Sequence, residues 1–306
     1  DPYDTYAVLE FNRGKNFFNH YQFEAAIQNF KEAEAKLDDG ELKDLAKFYI
    51  KLVNFYQKWD KFNDRIEIYN EKLDKIESFK LPSYFYKEII QKCPNELLNN
   101  DFDNSEEFIN QLNNNLEFLR LKIQNNQKEA MKYYLPDLLN NAYRKIEEGF
   151  FDDAVARLYR AIELIAQVSL NIHDLIDVEK FKNHKVFHIN RKQFKTQTKF
   201  DPEIPKMIQN WNIKEYEDRD KTFKVPKDKS YKILEAFGED LAKKYFADER
   251  LKNAVNKRND SILAHGLNPM NKKDAEDLYN RVLYYSKFFW VDIEKYMKMA
   301  EFPKFK

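Results

Sequence analysis

Apolar residues recur at helical spacing along most of this chain of 306 residues. Between residues 5 and 37 the pattern predicts two successive helices with a turn at 19–21. Small and aromatic residues share one face of these helices, namely Gly14, Phe17, Ala26, Phe30 and Ala33. The polar run Asp38-Asp39-Gly40 then predicts the end of the second helix. We therefore expect a helical hairpin at the start of the chain.

A second hairpin is predicted over residues 41–77. Its first helix carries one apolar face, formed by Leu45, Phe48, Tyr49, Leu52 and Tyr56. Trp59 and Phe62 flank the expected turn, and Ile66, Tyr69 and Leu73 mark the expected second helix. The pairing of small and aromatic positions in such hairpins resembles a tetratricopeptide unit. Two or three such units predict a connector or a docking surface.

The middle of the chain predicts a domain boundary near residue 130. Residues 95–130 are rich in Asn, Gln and Glu but keep a helical stripe, so we expect a linking helix there. From Leu135 the helical pattern sharpens, with Pro136 in a first helical turn. The next helix reads FDDAVARLYRAIELIAQVSL, and we expect Asp152 or Asp153 to cap it. The chain thus divides into domains at 1–130 and 131–306.

The second domain contains an expected insertion at about 172–230. This segment is polar and basic, contains three prolines and has weak periodicity, with short strands expected near 186–189. Helices resume near Tyr231, with strong ones expected over 247–265 and 271–298. The fold class predicted for the whole chain is therefore all-α.

Composition supports this fold and excludes several classes of protein. Only five glycines and nine prolines are present, which favours long helices over turn-rich sheets. Cys93 is the single cysteine, so internal disulfides and thiolate zinc clusters are excluded, and a reducing cytoplasm is expected. No stretch approaches the 18 apolar residues of a membrane helix, and no signal peptide is seen. The chain starts at Asp1 rather than at a methionine, so we expect a longer protein that contains it.

The segment RNDSILAHG, residues 258–266, carries the most specific candidate chemistry. In a continuous helix, Arg258 and His265 are separated by about 700° of rotation and roughly 10 Å of rise, which places them on one face. The same face carries Leu251, Ala254 and Val255. Because an unpaired buried charge is costly, the stripe predicts an interface with water, a counter-ion or a substrate phosphate at its centre.

The spacing of Arg258 and His265 is weak evidence when taken alone. The chain has 11 arginines and five histidines, so about 0.5 such pairs are expected by chance. Arg13 and His20 have the same spacing, but the tetratricopeptide-like pattern explains their surroundings. The second pair gains weight because polar Asn259 directly follows the arginine and because a matching helical segment precedes it.

The segments NAYRKIEEGFFDDAVARLYRAIELIAQ and RNDSILAHG together resemble the HEPN domain of CRISPR-associated ancillary ribonucleases of type III systems. The family signature is an arginine, usually a polar residue, and a histidine after four to six intervening residues. Arg258, Asn259 and His265 match it, and the resemblance covers about 130–306. It implies a HEPN helical bundle with catalytic Arg258, Asn259 and His265, no metal and no cofactor.

The resemblance also implies partners and control. In that family two HEPN domains dimerise and build one composite site, so we expect a homodimer acting on single-stranded RNA in antiviral defence. An N-terminal CARF sensor usually binds cyclic oligoadenylate and activates cleavage. The alternating strands and glycine-rich loop of such a sensor are not seen in this sequence.

The residue chemistry agrees with this implication. RNA is cleaved when its 2′-hydroxyl attacks the adjacent phosphorus, so the enzyme must move protons and stabilise phosphoryl charge. Histidine, with an unperturbed pKa of about 6.5, is suited to proton transfer near neutral pH. The planar fork of Arg258 matches two phosphate oxygens, and Asn259 can orient the phosphate. Lys252 and Lys257 are candidate substrate-binding residues on a basic rim.

Purely structural interpretations of the same residues are also open. Arg258 can belong to a structural ion pair with Glu163, and the lysines can form a solvated face. His184 and His188 have the spacing of a zinc pair, but no third ligand is evident. The whole chain can be a helical interaction scaffold with an inactive HEPN-like half, or a HEPN toxin neutralised by an antitoxin. An RNA reporter assay and the residues upstream of Asp1 separate these alternatives.

Overall fold

A computed structural model describes residues 2–94, 105–198, 217–259, 261 and 266–306. The chain folds into two compact units. One comprises Asp1–Ile123 and Lys298–Lys306, and the other comprises Gln124–Met297. Helices dominate both units, and the described strands form only two short two-stranded sheets, which confirms the predicted all-α fold.

The first unit opens with the predicted helical hairpin. Helix α1 spans Pro2–Asn19 and α2 spans Phe23–Lys36. Tyr21 lies between them with a φ of 62°, in the left-handed region that reverses the chain direction. A Cβ added at Gly14 would lie 2.7 Å from the ring of Phe30. The glycine therefore allows the two helices to approach closely at this point.

This close approach predicts a loss of stability for Gly14→Ala. Alanine is favoured over glycine inside a helix by about 1 kcal/mol. However, Phe30 is fully buried, and overpacking costs typically about 1–3 kcal/mol. Urea unfolding should therefore show a lower midpoint for the variant. Asn12→Ala, at an exposed position on the same helix, is the control and should not lower it. A Gly14→Ala midpoint at or above that of the parent would contradict the packing argument.

The first helix of the second predicted hairpin is confirmed, but the predicted second helix is wrong. Helix α3 spans Glu41–Asp60, but the segment after it forms strands β1, Arg65–Asn70, and β2, Lys75–Lys80. These strands pair antiparallel, with Ile66 opposite Phe79. The sequence RIEIYN places Ile66 and Ile68 two residues apart, and this period of two outweighs the helical spacing on which the prediction relied. Accordingly, Tyr69 and Leu73 are more than half exposed instead of lining a helix interface.

An aromatic core fills the first unit. Helix α4, Leu81–Tyr84, continues directly into a π-helix, Phe85–Ile90, and helix α5 spans Ser105–Lys122. The C-terminal tail contributes Phe302, whose ring centroid lies 4.7 Å from that of Tyr56. The Tyr56 hydroxyl donates to Asn115 Oδ1 at 2.6 Å, so this buried polar pair is satisfied.

The second unit is organised around one long helix. After the short α6, Gln127–Ala130, and a 3₁₀ turn, α7 spans Tyr134–Glu147 and α8 spans Phe151–Ile172. Apolar residues repeat along α8, and α7 packs against it. The predicted cap was wrong, because Phe150 is the N-cap and Asp152 lies inside the first turn. The Asp152 carboxylate instead accepts from the Met270 N–H, at 3.2 and 3.3 Å.

The segment after α8 contains short elements. Helix α9 spans Val178–His184, strand β3 spans His188–Asn190 and helix α10 spans Arg191–Gln197. Strand β4, Thr222–Lys224, pairs antiparallel with β3 and places Asn190 opposite Thr222. The predicted short strand near 186–189 is therefore confirmed as β3, which begins two residues later and ends one residue later than predicted.

The remaining helices of this unit pack near α8 or around its partners. Helix α11 spans Lys227–Ala236, α12 spans Asp240–Ala247 and α13 spans Glu249–Asn259. Helix α14 spans Lys272–Phe289 and α15 spans Ile293–Met299. Helices α11, α13 and α14 contact α8.

Two predicted helix ends in this region were wrong. The helix expected over 247–265 ends at Asn259, since Ser261 already forms an isolated parallel bridge with Asn268. The helix expected over 271–298 is interrupted at Trp290, which has extended dihedrals of −142° and 99°. Asparagine and bulky aromatic residues are among the weaker helix formers, so hydrophobic spacing alone did not locate either break.

Candidate functional site

Arg258 lies in the last turn of α13, against α8. Asp248 fixes the other end of α13, where its Oδ1 accepts from the Leu251 N–H at 3.0 Å. The Arg258 guanidinium carbon lies 4.5 Å from the centroid of the Tyr159 ring on α8. This is cation–π distance, so the ring holds the guanidinium in place without using its N–H donors.

The N–H donors of Arg258 make few hydrogen bonds to the described residues. Its Nη1 lies 3.4 Å from Asn259 Oδ1, at the long end of the hydrogen-bonding range. Its Nε is buried and finds no hydrogen-bond partner in the described part of the chain. Among the described residues, no carboxylate oxygen lies within 4 Å of this guanidinium, whereas the neighbouring cations Arg160 and Lys227 each have one. Arg258 is thus left able to bind an anion.

Glu163 does not pair with Arg258, although it lies one turn along α8 from Tyr159. Its Oε2 is nearer to Arg160, with 3.6 Å to Nη1. Burial raises the pKa of Glu163, and the cations Arg160, Lys227 and Arg258 partly oppose that rise. One carboxylate therefore faces three cations. The structural ion pair between Glu163 and Arg258 that the sequence left open does not form.

Lys227 is a second cation at the same ring. Its ammonium lies 5.4 Å from the centroid of Tyr159, and its side chain is only 8% exposed. The ammonium is held by Asp228, at 2.7 Å, and by the hydroxyl of Tyr245. Tyr245 in turn donates to Asp228 at 2.7 Å. Lys227 therefore supplies a fixed positive charge beside Tyr159 while its own hydrogen bonds are satisfied.

The chain after α13 is anchored at both ends of the motif. The Ser261 N–H donates to Arg258 O at 3.0 Å, and the Gly266 N–H donates to Ser261 O at 3.1 Å. Four residues later, Met270 is fixed to Asp152 as described above. His265 itself lies outside the described residues. The described helix ends at Asn259, so the predicted placement of His265 two turns from Arg258 on one helix also falls outside the described residues.

The two predicted lysines do not join Arg258. Lys257 donates to Asp274 Oδ1 of α14 at 2.7 Å, and this hydrogen bond raises the pKa of Lys257. Lys252 donates to Glu249 at 2.7 Å, one turn away on the same helix. Lys257 lines a cavity of about 570 Å³ between α13 and α14. The structure therefore brings Arg258 and Asn259 together and places both lysines in ion pairs of their own.

Tyr159 and Lys227 were missed by sequence reasoning. Tyr159 precedes Glu163 by four residues, so the helical period that places Glu163 on one face of α8 also points to Tyr159. Lys227 has no such signal, because only the packing of α11 on α8 brings it to the site.

The predicted zinc-like histidine pair is divided between two elements. His184 is the last residue of α9, and His188 opens β3. His188 is buried, which lowers its pKa against the opposing effect of Asp218, whose Oδ2 lies 3.2 Å from its Nδ1. In the part of the chain that the structure describes, no three His, Cys, Asp or Glu side chains are grouped to hold a metal ion.

Comparison with protein families decides the affiliation. Residues 123–289, more than half of the chain, match the model described as the Csm6 HEPN domain. The chain belongs to the Csm6 HEPN domain family. The predicted CRISPR-associated HEPN domain is therefore confirmed, and the match runs from the start of the second unit to the end of α14. Comparison with curated proteins gives no match.

The Csm6 HEPN match contains the Arg258 segment and every element that positions it. Helix α8, which presents Tyr159, and helix α13, which presents Arg258, both fall inside residues 123–289. None of the helices described for this chain is both long and apolar enough to cross a membrane.

Proposed function

We propose that this Csm6-type HEPN protein is a metal-independent endoribonuclease that cleaves single-stranded RNA in type III CRISPR antiviral defence, in the cytoplasm. The observation that supports this most is the Arg258 guanidinium. It is held over Tyr159, lacks a carboxylate partner among the described residues and lies within residues 123–289, which match the Csm6 HEPN domain.

In the proposed reaction, Arg258 binds the scissile phosphate. The RNA 2′-oxygen attacks phosphorus while the bond to the 5′-oxygen breaks, which leaves a 2′,3′-cyclic phosphate and a 5′-hydroxyl. Negative charge grows on the non-bridging oxygens, so a fixed guanidinium stabilises the transition state more than the ground state. Asn259 orients the phosphate, and His265 transfers a proton between the 2′-hydroxyl and the leaving 5′-oxygen.

We propose that Tyr159 and Lys227 support this role of Arg258. The ring of Tyr159 fixes the guanidinium without competing for its N–H donors. Lys227 and Arg160 lie close enough to Glu163 to oppose the rise of its pKa, so Glu163 needs no ion pair with Arg258. The three cations outnumber the two carboxylates Glu163 and Asp228, and this positive excess favours an anionic ligand. Lys252 and Lys257 would bind substrate only after leaving their ion pairs.

We further propose a homodimer whose two HEPN domains, at about 131–306 with an insertion at about 172–230, form one composite site. Residues 1–130 would act as the connector to a CARF sensor that responds to cyclic oligoadenylate. Light scattering tests the dimer. Titration of the complete natural protein with cyclic oligoadenylate tests the control.

A fluorogenic single-stranded RNA tests the activity itself. We expect cleavage that persists in EDTA, with products ending in 2′,3′-cyclic phosphate by mass spectrometry. Loss of cleavage in EDTA would contradict the metal-independent mechanism. RNA that is bound but never cleaved, by the dimer and in the presence of activator, would instead support the inactive scaffold. A catalytically inactive variant serves as the control for contaminating nucleases.

A further inference from the structure

A second basic surface lies in the segment between α8 and α11. A cavity of about 360 Å³ is lined there by Arg191, Lys192, Lys195, Thr196 and Lys221. No carboxylate is among these lining residues, whereas the cavity beside α13 includes Asp274 and Asp277. We define the basic patch as Arg191, Lys192, Lys195 and Lys221.

The backbone holds the cations of the basic patch together. Asn190 caps α10, since its Oδ1 accepts from the N–H groups of Lys192 at 3.0 Å and Gln193 at 3.2 Å. The Arg191 N–H donates to Lys221 O at 3.1 Å, which joins the two parts of the patch. The pairing of β3 with β4 therefore sets the positions of these charges before any ligand binds.

The acidic residues near the patch are already engaged. Glu217 accepts from Arg191 at 2.7 Å, and Asp218 and Asp220 accept from Lys180 at 2.9 and 2.6 Å. Lys192, Lys195 and Lys221 are exposed, and the described residues offer none of them a carboxylate within 4 Å. Described residues 185–198 and 217–224 contain seven Lys and Arg against three Asp and Glu, in a chain of zero net charge.

We propose that the basic patch binds the phosphodiester backbone of single-stranded RNA, and this rests on the proposed function for the identity of the RNA as substrate. Exposed lysines bind phosphates as point charges without reading sequence. The lining contains no apolar side chain, which disfavours a protein interface with a hydrophobic core. The patch would thus give the segment between α8 and α11 a role in binding RNA.

Arg160 provides a connection between the patch and Arg258. Its guanidinium carbon lies 5.6 Å from the ring centroid of Phe187, which directly precedes β3. Arg160 follows Tyr159, whose ring carries Arg258, and among the described residues its buried Nη1 has only the ion pair with Glu163 at 3.6 Å and no hydrogen bond. Strand β3 then leads directly to Arg191, so Arg160 links the ring that carries Arg258 to the strand that precedes the patch.

The test uses an RNA that binds but cannot be cleaved. A fluorescein-labelled single-stranded RNA with every 2′-hydroxyl methylated is titrated by anisotropy at several salt concentrations. The patch variant combines Lys192→Gln, Lys195→Gln and Lys221→Asn. Lys221 has a φ of 64°, a conformation that asparagine adopts more easily than lysine, so this change should not harm folding. The control combines Lys47→Gln, Lys232→Gln and Lys287→Gln, which remove three lysines that have carboxylate partners.

We expect the patch variant to bind at least tenfold more weakly and to lose about 2 from the slope of log K against log salt, which corresponds to three phosphate contacts. The control variant should keep the affinity and slope of the parent. Equal affinities for the two variants would overturn the proposal. A selective loss of binding to phosphatidylserine vesicles, with RNA binding unchanged, would also overturn it. Cleavage of unmodified RNA by the parent is measured separately, so failure of the proposed ribonuclease remains distinguishable from failure of the patch.

Discussion

Arg258→Ala should lower RNA cleavage by on the order of 10³, because one preorganised donor to developing charge is worth about 10²–10³ in rate. His265→Ala should lose about 10²–10⁴, the range for a general acid or base. Arg258→Lys keeps the charge but loses the planar fork, so it should recover only part of the rate. Cleavage is measured with the fluorogenic RNA, and folding is checked by circular dichroism.

The chain contains its own matched control for this experiment. Arg13 and His20 have the same spacing as the proposed pair, but Arg13 pairs with Glu10 at 2.8 Å and His20 is exposed beside Asn16 O. Arg13→Ala and His20→Ala should therefore cleave RNA at the parental rate. Folded Arg258→Ala and His265→Ala variants that still cleave would remove the assignment of the site. Reduced cleavage in the Arg13 and His20 variants alone would move the search to the first unit.

Asp248→Ala should destabilise the HEPN unit by about 3 kcal/mol, the lower end for breaking a buried ion pair, because the Arg281 side chain is one-third exposed. Asp248 is 6% exposed, accepts from Tyr285 Oη at 2.7 Å, pairs with Arg281 and caps α13. Its loss leaves Arg281 and the first turn of α13 without these partners. Urea unfolding of the unit, followed by tyrosine fluorescence, measures the change.

The stability difference between parent and Asp248→Ala should depend on pH. Burial raises the pKa of Asp248, but hydrogen bonds from Tyr285 and Leu251 and the charge of Arg281 outweigh it, so the folded pKa is lowered. A lowered folded-state pKa adds stability at pH values above the unfolded-state pKa of about 3.9. This contribution is lost as the pH falls through the folded-state pKa. The difference should thus be full at neutral pH and shrink in acid. A difference that stays constant would identify packing as its cause. Asp240→Ala, at an exposed ion pair with Lys243, is the control and should change little.

Much of the fold was predictable where apolar spacing and packing agree. The hairpin of α1 and α2 and the long helix α8 follow directly from repeats that end up buried, such as Ala26, Phe30 and Ala33. The β-hairpin was missed because Ile66, Tyr69 and Leu73 fit a helical face as well as a strand, and only tertiary contacts decide between them. The ends of α13 and α14 depend on local hydrogen bonds that spacing does not encode.

The residues of the candidate site likewise fall into those that sequence could predict and those that only packing brings together. Arg258 and Asn259 were found because a contiguous motif contains both, and their contact is local. Tyr159 and Lys227 belong to helices that lie far away in sequence, so their convergence is set by packing on α8. For Lys252 and Lys257, sequence alone could not separate a phosphate ligand from an ordinary surface ion pair.

The end of α13 at Asn259 bears on how many residues can separate the arginine and the histidine of the motif. Within one continuous helix, each added residue would rotate the histidine by about 100° and move it to another face. Here α13 ends at Asn259, the first residue of the interval, and the described residues nearby are held by the bridge between Ser261 and Asn268 and by the hydrogen bond of Met270 to Asp152. Lengthening or shortening the interval by a residue therefore need not disturb the scaffold, which gives a physical reason why a motif with four, five or six intervening residues can describe a single kind of site.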